Sequence, residues 1–129
     1  RRRHTRYISV TGVQTCALPI SSRSHVENAW HLYVLRLRAG ELTIDRNQFI
    51  DEMTARNIGT SVHFIPIHMH SYYRDRYGYH PDDFPVAHTA FRSMLSLPLS
   101  PSMSDQDVAD VIDAVLDIRE KHVRRRMAA

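Results

Sequence analysis

The residues best suited to chemistry lie in one stretch, from His63 to Tyr77. His63 and Phe64 stand side by side in a run of branched residues ahead of Pro66. An imidazole there can donate a hydrogen bond to a ligand oxygen, and the neighbouring ring can stack on a flat ligand face. Residue type alone favours a plainer use of His63, as a buried histidine satisfied by a backbone carbonyl. His68-Met69-His70 puts two imidazoles on one side of the chain if that segment is extended. No third ligand stands nearby, and two do not close a typical metal site, so no metal is expected. His68 reads better as part of a pocket entrance, with the loop that follows Pro66. Tyr72, Tyr73, Arg74, Arg76 and Tyr77 mix rings with positive charge, as nucleic-acid surfaces do. Asp75, Asp82 and Asp83 dilute that field, and a helix packed by its tyrosines is the expected use.

Other chemistries lack their residues. The one lysine, Lys121, falls in the last turn of a helical pattern, where it complements the negative end of the dipole. The four glycines are isolated, so no glycine-rich phosphate loop is present. Apolar runs are short and broken by Arg, His or Pro, which excludes a membrane-spanning helix from the sequence pattern.

The elements that must position these residues follow from periodicity and caps. Trp30 to Leu37 is rich in aromatic and branched residues and predicts a strand. Asp45, with Gln48 three residues on, predicts a capping box and a helix bearing Phe49, Ile50 and Met53 on one face. Gly59 is the expected helix stop. Thr60 to Ile65 predicts a second strand that carries His63 and Phe64. A short helix over Ser71–Tyr77 ends at Gly78, and Pro85 starts another that runs to about Met94. Ser96 to Leu99 predicts a third strand, placed at an edge by Pro98. Ser104 caps the clearest helix, whose stripe is Val108, Val111, Ile112, Val115 and Ile118. The sum is an α+β fold of about three short strands with helices packed on them, roughly ninety residues long.

The 129 residues leave room for one domain with tails. The pI of 9.4 and net charge of +3 invite a nucleic-acid reading. Four of the 17 basic residues, Arg1, Arg2, Arg3 and Arg6, stand together without an acid, and without them 13 bases face 14 acids. That reading rests on the N-terminus, and residues 1–20 resemble the translation of sequencing-library adapters. Val10 to Ile20 has no helix or strand period, and it matches one adapter in the frame in which Arg1 to Arg6 match its neighbour. Residues 1–20 are accordingly expected to be non-native, and Cys16, the one cysteine, then says nothing of redox compartment. Residues 21–29 read as a connector, 30–122 as the domain, and 123–129, with Arg124-Arg125-Arg126, as a solvated basic tail.

Five strings in order carry a family resemblance: Trp30 to Val34; Ile58 to His68; Tyr72 to Tyr79; Phe84 to Ala87; and Ser96 to Val108. Together they resemble the C-terminal small domain of the DegT/DnrJ/StrS-type aminotransferases. The resemblance implies a fold-type-I, pyridoxal 5′-phosphate-dependent, homodimeric cytoplasmic enzyme. Such enzymes move an amino group, usually from glutamate, to a keto nucleotide-sugar for polysaccharide, glycan or antibiotic synthesis. It also implies that His63, Phe64 and His68 meet the nucleotide-sugar substrate. The lysine that anchors the cofactor belongs to a large domain absent here. The chain alone is therefore expected to hold no catalytic or cofactor-binding residue and to be inactive. The alternative is a stand-alone α+β ligand-binding or interaction module.

Overall fold

In the computed structural model, residues 17–19 and 31–124 are described below. Trp30, the connector and the last five residues lie outside them. A short strand β1 (Ala17–Pro19) is followed by β2 (Tyr33–Leu37), α1 (Arg46–Ala55), α2 (Ser71–Tyr77), α3 (Pro85–Ser93), β3 (Met94–Leu97) and α4 (Asp105–His122). Single 3₁₀ turns at Ile67–Met69 and Pro81–Asp83 precede α2 and α3. The sheet order is β1-β2-β3, antiparallel throughout, with Leu35 opposite both Pro19 and Leu95.

The alternation in β2 sends Tyr33, Leu35 and Leu37 into the core while Arg36 faces solvent. On that face, Leu95 and Leu97 join Phe49 and Met53 of α1 and Val108, Val111, Val115 and Ile118 of α4 in one cluster. The long stripe of α4 thus covers the sheet beside α1, as its spacing requires. Both helices start on full capping boxes, Asp45 with Gln48 and Ser104 with Asp107. Each box satisfies two otherwise orphaned backbone donors.

Four expectations need correction, three in the strands and one at the end of α1. Thr60 to Ile65 is not a strand: it touches the sheet through one antiparallel bridge, Ser61 with Ser96. Pro66 removes a donor just beyond, and the chain turns into the 3₁₀ segment instead of extending the pairing. The third strand begins at Met94, not Ser96, because α3 ends one residue earlier at Ser93. A strand also forms at Ala17–Pro19, where no period predicts one, since backbone pairing with β2 needs no side-chain alternation.

The stop of α1 is Asn57, not Gly59. Asn57 takes φ +59°, its N–H donates to Thr54 O at 2.9 Å, and Ile58 N–H donates to Met53 O at 3.0 Å. These two bonds form a Schellman motif with asparagine in the left-handed position. Gly59 has an ordinary φ, and a Cβ there would meet nothing within 4 Å. Asn57→Ala should therefore lower stability by about 1 kcal/mol, whereas Gly59→Ala should be neutral or stabilising by up to about 1 kcal/mol. Thermal melts of the two variants check this; the opposite order would restore Gly59 as the stop.

Candidate functional site

The segment from Ser61 to His70 is fixed at both ends and free in the middle. At its start, Ser61 N–H donates to Ser96 O at 3.1 Å and Ser96 N–H to Ser61 O at 2.7 Å. His63 Nε2 meets the Ser96 hydroxyl on β3 in a close hydrogen bond. Ser96 is 4% exposed, so it orients His63 and is not open to a substrate. The partner of His63 is thus a serine hydroxyl, not the backbone carbonyl that residue type suggests. At the far end, His70 Nε2 lies 3.1 Å from Ile65 O, within reach of donating to it.

Between these anchors the side chains point outward. Phe64 is 96% exposed, and Ile65 and Ile67 are exposed beside it. A ring so open, next to an oriented imidazole, offers a stacking face and a polar atom for a ligand that lies against the loop. His68 sits elsewhere. The 3₁₀ turn buries it to 7% exposure, 4.6 Å from the Phe84 ring, and its Nε2 has no hydrogen-bond partner. The structure therefore ties His63 to Ser96, leaves Phe64 open next to it in the chain, and buries His68 away from both. The extended geometry that would align His68 with His70 is also absent, because Ile67–Met69 is a 3₁₀ turn. Among the described residues no group of three or more His, Cys, Asp or Glu could hold a metal ion.

Behind His68 the rings continue as a ladder: Phe84 edge-on to Tyr79 at 5.3 Å, Tyr79 stacked with Tyr77 at 5.5 Å, Tyr77 with Tyr73 at 6.2 Å. The tyrosines of α2 thus touch one another but stay exposed, so the helix is not packed on the core by its tyrosines as its sequence predicts. Gly78 closes that helix at φ +69°.

The sequence does not reveal the ionic cluster that joins α1 to α4. Glu52 receives Lys121 at 2.8 Å, Arg56 at 2.7 Å and His122 at 3.3 Å, and Arg56 also binds Asp117. Lys121 is therefore held by a carboxylate and does more than complement a dipole. Arg124 is tied down too, its Nε donating to Leu42 O and its N–H to Glu41 O. The Lys121 and Arg56 hydrogen bonds lower the Glu52 pKa from 4.5 to about 2. A carboxyl depressed on folding adds stability above its unfolded value and loses it as pH falls toward the folded one. Stability should therefore decline from about pH 4.5 to pH 2, and Glu52→Gln should flatten that slope. Urea midpoints across this window check it; equal slopes would remove Glu52 from the acid response.

These residues do not fit a pyridoxal phosphate site. The sole lysine is engaged by Glu52 on the helical side, and nothing described supplies a second amine to anchor the cofactor. No helix among the described residues is long and apolar enough to cross a membrane.

Comparison with known proteins agrees with the resemblance. The chain is 49% identical over 96 residues to an uncharacterized protein of Methanocaldococcus jannaschii, covering 74% of this chain and 25% of that protein. It is 52% identical over 92 residues to the spore coat polysaccharide biosynthesis protein SpsC of Bacillus subtilis, covering 70% and 24%. Among solved structures, Spr1654 of Streptococcus pneumoniae, assigned as a sugar aminotransferase and solved in its PMP form, superposes with a TM-score of 0.79. That match has 28% identity and covers 93% of this chain and 30% of the other. The chain thus spans about a quarter of the length of the curated relatives it matches. The model of the DegT/DnrJ/EryC1/StrS aminotransferase family matches residues 2–116, and the chain belongs to that family.

Proposed function

We propose that this chain is the C-terminal small domain of a pyridoxal-phosphate-dependent sugar aminotransferase. In the intact protein it closes over a cofactor-bearing domain and lines the substrate mouth. The substrate is a keto nucleotide-sugar, the amino donor is glutamate, and the product feeds polysaccharide, glycan or antibiotic-sugar synthesis. The intact protein works as a cytoplasmic homodimer, and residues 30–122 are the domain proper, with residues 1–20 adapter-derived. The observation that carries the reading is the surface made by His63, oriented by Ser96, and Phe64, 96% exposed. Phe64 stands with Ile65 and Ile67 in one exposed apolar stretch, and contiguous apolar surface of this kind marks binding sites. His63 donates to a diphosphate or sugar oxygen and Phe64 stacks on the sugar or base. His68, buried behind them with an unpartnered Nε2, becomes a contact only once the loop opens around a ligand. The bound cofactor supplies the electron sink, and this chain's residues bind and orient the substrate.

The test is an assay of the intact protein with glutamate and a panel of keto nucleotide-sugars, following release of 2-oxoglutarate. Release that depends on the sugar is expected. A folded, cofactor-loaded protein that releases none with any member of the panel overturns the proposal.

A further inference from the structure

Lined by none of the residues of the His63 loop, an open cleft of about 530 Å³ lies between the β2–α1 connection, α3 and the segment after α4. Four arginines line it: Arg38, Arg46, Arg92 and Arg124. Its one acid, Asp45, is already engaged, since its carboxylate caps α1 by accepting from Gln48 N–H at 2.9 Å. The cleft therefore carries an unbalanced positive charge, in a volume typical of sites for small ligands.

The second observation concerns Arg46, one of its lining residues. Arg46 lays its guanidinium over the Phe91 ring at 5.3 Å. Its Nε and Nη1 are buried and have no hydrogen-bond partner. The ring attracts the charge through its face, but guanidinium N–H bonds lie in the guanidinium plane and still need acceptors. A buried cationic donor left unpaired is costly, and natural proteins seldom retain one without a use. Arg92 on α3 and Arg38 after β2 are both exposed and line the same cleft. Arg124, with its Nε committed to Leu42 O, closes one end.

We propose that this cleft is an anion site of phosphate class, in which Arg46 supplies the in-plane donors and Arg38 and Arg92 the surrounding charge. A phosphoryl group has enough oxygens to accept from a guanidinium edge and from further arginines at once, which suits a fan of cations better than a lone carboxylate does. This site is separate from the His63 surface and does not depend on the reading given above.

The experiment titrates inorganic phosphate into the full 129-residue chain at constant ionic strength, following arginine Nε–H resonances by NMR. Saturable binding that moves the Arg46 signal is expected, weakened by about tenfold or more in Arg46→Gln or Arg92→Gln. Arg92→Gln guards against a folding defect, because Arg92 is exposed and packs on nothing the core requires. Three results overturn the proposal: a response no greater than that to sodium chloride, affinity unchanged in both variants, or malonate saturating at a lower concentration than phosphate.

Discussion

Phe49→Ala should leave the chain largely unfolded near room temperature. Phe49 is 1% exposed and sits where α1 meets the sheet and α4. Truncating a buried phenylalanine costs about 3–5 kcal/mol, because the transfer free energy and the cavity left behind add. Whole domains are stable by only about 5–15 kcal/mol, and small ones sit at the low end. Neighbours that could collapse into the gap, Leu35, Met53, Leu95 and Ile118, are themselves fully buried and locked by packing on several sides. Val86→Ala is the control: Val86 is 84% exposed on α3, and a change within about 0.5 kcal/mol is expected. Urea unfolding followed by circular dichroism gives both. Equal midpoints for the two variants would mean that the core described here is not what holds the chain together.

His63→Ala in the intact protein should lower kcat/KM for the nucleotide-sugar by about 10- to 100-fold, the range for losing a hydrogen bond to a charged group. Cofactor content should not change, since none of the described residues of this chain fits a cofactor site. If His63 only binds the substrate, the loss appears in KM with kcat intact. Ser96→Ala separates contact from positioning. Ser96 touches His63 and is itself buried, so its removal should give a smaller loss in the same parameter. Unchanged kinetics in a folded His63→Ala protein would take His63 out of the site.

The parts of the fold that the sequence revealed are those encoded locally. The capping boxes at Asp45 and Ser104 need only residues three apart, and the α4 stripe needs only its own period. Gly78 and Pro85 act through their own backbone preferences. The misreadings involve choices made between distant segments. Thr60 to Ile65 has strand-forming residues, but β3 offers it a single bridge at Ser96 before Pro66 turns the chain away. Asn57 displaced Gly59 because the Schellman bonds fix the left-handed residue by count from Met53 and Thr54, and asparagine tolerates that φ. The candidate site divides in the same way. The pairing of an imidazole with a ring at His63 and Phe64 is visible in the sequence. That Ser96, on the distant strand β3, orients the imidazole is not, nor that a 3₁₀ turn buries His68. The Glu52 cluster joins residues 69 apart at Lys121 and 70 apart at His122. No local pattern announces it.

The most direct test of the account is the genomic reading frame that encodes Ser21 to Ile118, sequenced on long molecules without library adapters. One uninterrupted frame is predicted, in which a cofactor-binding domain, with its own lysine, precedes Ser21 in place of residues 1–20. A start codon close to Ser21, with no transaminase sequence joined ahead of it, would contradict it.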